Sequence, residues 1–202
     1  MDDIRVVSAM ICRPPTMKNG RLIVSAAWGD DDPLLPTPKE LLPLLTDDLG
    51  NPTPAWTADV QLPKLEIEAL VYSMGLLIIY RAVRDQDLAH VVGIQPKHNY
   101  EEIVKNGQRL GWDICSGNGW LPASAHGIFP IDPVSGENIP EVKGNLNRFG
   151  LFDDLDPCLS CKRENDKWIP EHSPWFPVAV YVSNTGASLL EDLFQDGSEC
   201  NS

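Results

Sequence analysis

Leu76-Leu77-Ile78-Ile79-Tyr80-Arg81-Ala82-Val83 is the stretch on which the reading of this fold turns. It is dense in β-branched and aromatic side chains, follows Gly75, and holds neither Gly nor Pro, which is the composition of a strand. Its apolar part, Leu76 to Tyr80, is far shorter than the roughly twenty residues of a membrane-spanning helix. The polar Arg84-Asp85-Gln86-Asp87 that follows, and the apolar Leu88 to Ile94 beyond it, predict a hairpin with strands 76–83 and 88–94.

Upstream, Leu65, Ala69, Tyr72 and Leu76 recur at helical spacing between Pro63 and Gly75, although Leu65-Glu66-Ile67-Glu68 alternates as a strand would. A helix over 63–74 is the reading adopted. Residues 4–12 and 21–28 are β-rich, and the segment between them ends in Asn19-Gly20, a pair that turns favour. These runs predict an antiparallel hairpin over 4–28. Thr37-Pro38-Lys39-Glu40 has the form of a helix start, which Pro43 shortens or kinks.

Downstream, Asn99 and Glu102 form a capping pair opening a helix from Tyr100 to about Leu110. Trp112 to Cys115 and Val178 to Ser183 read as strands, and Ser188-Leu189-Leu190-Glu191 caps a last short helix that stops at Gly197. Between Gly111 and Pro177 the chain is punctuated by Gly and Pro without sustained periodicity. Residues 1–202 are therefore expected to form a single α+β domain with a mainly antiparallel sheet. A few short helices pack on one face of that sheet, and the C-terminal half is long and loop-rich.

Sixteen basic against 29 acidic side chains give a net charge of −13. Such a chain repels phosphate backbones and anionic lipid, so the reading is no nucleic acid and no membrane. A basic protein partner would instead be attracted and steered in. The N-terminus lacks the basic and apolar regions of an export signal, and five cysteines at uneven spacing do not make a disulfide framework, so the expected compartment is the cytoplasm.

Two acidic clusters sit beside aromatic residues: Asp30, Asp31 and Asp32 after Trp28, and Asp153, Asp154 and Asp156 after Phe152. Carboxylates next to an aromatic anchor suit a surface that covers a cationic site, because the ring supplies affinity and the charge supplies orientation. The calcium-loop spacing is absent from both clusters. Cys158-Leu159-Ser160-Cys161 is the sharpest motif, since two thiolates at this spacing can hold one zinc ion and His172 follows. A fourth ligand would have to come from Asp156, Cys200 or His126. For nucleophilic catalysis, Ser124 and His126 stand close in sequence but without a nucleophile elbow, and no glycine-rich phosphate loop is present.

Two functions of different class remain open on these residues. One is an acidic cytoplasmic binding protein, needing no cofactor, that neutralises a basic protein partner, as an immunity protein or toxin inhibitor does. The other is a small zinc- or thiol-dependent enzyme centred on Cys158, Cys161 and His172. The first accounts for the charge and for the want of a catalytic constellation. The second accounts for the paired cysteines.

Overall fold

The computed structural model describes residues 4–12, 16–18, 21–23, 66–88, 100–116 and 144–199, together with Ala123, Phe129 and Val142. Strands β1 (Ile4–Cys12), β2 (Thr16–Lys18) and β3 (Arg21–Ile23) are followed by helix α1 (Glu66–Ser73) and strand β4 (Leu77–Arg84). Then come the short helices α2 (Asp85–Leu88) and α3 (Glu101–Asn106), strand β5 (Gln108–Ser116) and helix α4 (Leu155–Trp168). A 3-10 turn over Pro170–His172, strand β6 (Trp175–Val182) and helix α5 (Asn184–Glu199) complete the order.

The α+β class holds. Four strands form one antiparallel sheet in the order β1-β4-β6-β5, while β2 and β3 pair as a separate ribbon. The Lys18↔Arg21 register leaves Asn19-Gly20 between the ribbon's two strands, so the hairpin is tighter than the one expected over 4–28. Residues 4–12 pair with β4 and residues 21–23 with β2, while 24–28 lie outside the described residues. At Asp85, where the expected hairpin would turn, the chain forms α2; residues 89–94, the remainder of the expected strand, lie outside the described residues, as does the helix expected from Thr37.

Every residue of β4 and of β6 is buried, so the middle of the sheet is covered on both sides. On the first face Ile78, Tyr80, Ala82, Trp112, Ile114, Trp175, Ala179 and Tyr181 share a core with Val71 of α1 and with Cys158 and Cys161 of α4; Ile103 and Val104 of α3 pack against it. On the second face Leu77, Ile79, Leu110, Val180 and Val182 meet Leu190 of α5. The helices thus divide between the faces, where one face had been expected, because α5 continues from β6 onto the side that Val180 and Val182 present. Two bulges adjust the pleat. In β1 the register slips between Val6 and Ser8, which puts Val6 and Ala9 in the same core. In β5 it slips between Arg109 and Gly111, which sends Leu110 to the second face and Trp112 to the first.

Two tyrosine hydroxyls set in this core find partners. Tyr80 Oη donates to Glu68 Oε1 at 2.5 Å, and Tyr72 Oη meets Ser183 Oγ at 3.0 Å. Ser183 also begins α5: its Oγ accepts the Gly186 N–H and its carbonyl accepts that of Ala187. This helix start lies upstream of the one expected at Ser188. At the end of α1, Gly75 takes φ of 70° while its N–H reaches Tyr72 O and that of Leu76 reaches Val71 O, a left-handed helix stop.

Pro177 lies inside β6, a strand flanked on both sides. The β4 ladder covers only Ala179 to Tyr181, so at Pro177 the strand faces β5 alone and the missing N–H interrupts no ladder to β4.

Candidate partner-binding surface

Residues 144–154 lead from the sheet edge to the start of α4, and Asn147 organises them. Its Oδ1 accepts the N–H groups of Phe149 and Leu151, and its Nδ2 donates to Leu110 O and to Asp153 Oδ1, both at 2.8 Å. The Asn147 N–H donates to Leu151 O at 2.7 Å, closing the loop on itself. One amide side chain therefore ties the loop to β5 and to the first carboxylate of the acidic cluster. The loop is also held to α5, where Arg148 pairs with Glu191 and lies over the rings of Phe149 and Phe194, 4.9 and 4.4 Å from their centroids.

Phe152 pairs with Trp112 through two backbone hydrogen bonds of 2.7 and 2.8 Å, extending the sheet past β5. Its side chain is 0% exposed and meets Phe129 edge-on at 6.0 Å. This corrects the expected surface anchor: Phe152 is core, because the bridge to Trp112 turns it inward. Asp153, Asp154 and Asp156 are exposed. Asp154 stands at the N-cap of α4 with extended backbone, and Asp156 lies in the first turn, where the helix dipole favours negative charge. The other expected cluster, Trp28 with Asp30, Asp31 and Asp32, lies outside the described residues, as do Ser124 and His126.

Helix α4 was hidden in a segment that had read as loop. Its fully buried residues are Cys158, Cys161 and Asn165, with Leu155 packed against the same core, so hydrophobic periodicity marks it only weakly. Pro157 is tolerated because it falls in the first turn, where no backbone N–H is needed. At the far end, Lys162 and the N–H and O–H donors of Trp175 and Ser173 converge on Asp166. Partial burial works against ionisation there, yet these donors hold the Asp166 carboxyl below its usual range.

The paired cysteines face the core. Cys158 is 0% and Cys161 1% exposed, and the Cys158 thiol donates to Asp113 O at 3.3 Å. His172 packs edge-on against Trp175 at 6.3 Å. Among the described residues no group of three His, Cys, Asp or Glu side chains is placed to hold a metal ion, so Cys158, Cys161 and His172 are not brought together as ligands. Burial pushes the Cys158 and Cys161 thiols well up, with the Asp113 charge adding to it. It also pushes Cys115 up to about 12, against a smaller opposite pull from Arg81. Thiols held in this way are poor nucleophiles. A thiol-reactive aromatic disulfide at pH 8 should therefore leave all three unmodified in the native protein and react with them only in denaturant. Peptide mapping that finds any of the three labelled in the folded state at the rate of a free thiol would show these environments to be wrong.

Trp168, at the last position of α4, is 59% exposed, the only large apolar side chain so exposed among the described residues. Glu164, one turn earlier on α4, has its carboxyl held below its usual range first by the hydrogen bond from Lys167, at 2.6 Å. Sequence reasoning does not single out Trp168. The separating signal is its place at the end of a helix between Lys167 and a following Pro170, a signal that exists only once α4 is recognised. No family model matches the chain, and no curated protein or solved structure matches it either. Among the described residues no helix is long and apolar enough to cross a membrane.

Proposed function

We propose that this chain is an acidic cytoplasmic binding protein that neutralises a basic protein partner, in the manner of an immunity protein or toxin inhibitor. The observation that carries the reading is the exposed trio Asp153, Asp154 and Asp156, presented at the start of α4 by a loop that Asn147 holds in place, on a chain of net charge −13. Fixed carboxylates at a solvated rim speed encounter with a cation-rich surface and orient it. The Asp30–Asp32 cluster adds three further carboxylates to the chain's net negative charge.

The test is capture of the partner from the native host, followed by binding kinetics across a salt series. Association should slow steeply as the Debye length shrinks from roughly 30 Å at 0.01 M salt to about 10 Å at 0.1 M. Changing Asp153, Asp154 and Asp156 together to Asn should reduce the association rate by about tenfold at low salt and leave dissociation nearly unchanged. Circular dichroism checks that α4 persists in the variant. A partner whose association ignores both salt and the triple substitution would sink the proposal.

A further inference from the structure

We infer that Trp168 is the anchor of this surface and that its guest is an arginine side chain of the basic partner, an inference resting on the reading just given. The acidic trio and Trp168 occupy opposite ends of α4, about 20 Å apart at 1.5 Å per residue. The ends differ in charge. Arg163, Lys167 and Lys162 offset Glu164, Asp166 and Glu171 around Trp168, so that end is close to neutral, while at the start of the helix three acids outnumber Arg109, which reaches Asp153 O. Long-range attraction therefore acts at the first turn, and the last turn has to hold its guest by contact.

An indole 59% exposed, one turn beyond Glu164 on the same helix, offers a π-face near a carboxylate. A guanidinium suits both: it is planar, stacks on aromatic faces and is more weakly hydrated than an ammonium, so a locally neutral field opposes it little. The molecule already uses this contact internally. Arg109 lies 5.6 Å from the centroid of Trp112, and Arg148 covers Phe149 and Phe194. Trp168 carries no such cation among the described residues.

The probes are octa-arginine and octa-lysine peptides, matched in charge, titrated against the full chain. Trp168→Ala should weaken octa-arginine binding by about fivefold, mainly through faster dissociation. It should change octa-lysine binding less than twofold, and Trp168→Phe should restore part of the loss. An exposed side chain makes both variants safe for folding, which their thermal unfolding verifies. Equal loss for the two peptides, or none for either, overturns the inference. So does sedimentation showing that the wild type dimerises and Trp168→Ala does not, since a second copy would then be the occupant. The triple change of Asp153, Asp154 and Asp156 to Asn separates the two levels. If it slows association while Trp168→Ala is silent, the acidic surface stands and the anchor falls; if it too is silent, the broader reading falls with it.

Discussion

Trp175→Ala should be among the most damaging single substitutions in this protein, lowering stability by about 3–5 kcal/mol. Trp175 is 0% exposed and heads the fully buried side chains by volume. It opens β6 at Ser116 of β5, its backbone N–H donates to Asp166 Oδ1 at 2.9 Å, and its ring receives the edge of His172. Deleting the indole leaves a cavity under α4 and loosens the turn that carries Pro170 to His172. Against a typical total of about 5–15 kcal/mol, the loss is a large share of what holds the fold. Urea unfolding should show the midpoint falling with an unchanged slope, and Trp175→Phe should recover part of the difference. A Trp175→Ala midpoint within about 1 kcal/mol of wild type would mean the core is not centred where the structure places it.

Gly111→Ala should cost about 2–5 kcal/mol, combining backbone strain with overpacking. Gly111 holds φ of 154°, outside the range L-residues prefer, at the β5 bulge. A Cβ there would lie 2.7 Å from Leu151 Cβ and 2.8 Å from Phe152 O, against backbone with no freedom to withdraw. The damage should fall on the Trp112–Phe152 bridge, and with it on the loop that presents Asp153. Gly75→Ala is the control: φ is 70°, but nothing lies within 4 Å of the added methyl, so only the left-handed strain of about 1–2 kcal/mol remains. Chemical denaturation of the pair distinguishes crowding from strain. Equal losses at the two sites would refute the close packing of the loop on β5.

The α+β class and at least part of each of the four sheet strands were legible because their side chains declare themselves. β4 gathers Ile78, Ile79, Tyr80 and Val83 without Gly or Pro, β1 is similar, β5 was found from Trp112 to Cys115 with its first residues read into the preceding helix, and β6 was found from Val178 onward, with Pro177 hiding its first residues. Helix α1 was legible from its spacing and from Gly75. What stayed hidden has a common cause. Helix α4 buries Cys158, Cys161 and Asn165, which a hydrophobicity pattern marks only weakly, and α2 forms where Asp87 ties back to Arg84 at 2.6 Å and Asp85 reaches Arg5, contacts invisible before the strands are paired. At the candidate site the acids Asp153, Asp154 and Asp156 were legible as surface, since three carboxylates within four residues are rarely anything else. The aromatic next to them was not. Phe152 goes inward because the chain bridges to Trp112, whereas Trp168 goes outward because α4 ends there, and adjacency in sequence predicts neither.

The full burial of β4 and β6 has a consequence for how such a protein can change. A sheet with one wet side can grow a binding site on its strands by altering alternate residues, but here every alternate residue of the two central strands is already committed to a neighbour. Novelty is left to the loops, the outward sides of the helices and the strand ends. Surface chemistry can therefore change by substitutions of small stability effect, while the scaffold beneath keeps its sequence constraints unchanged.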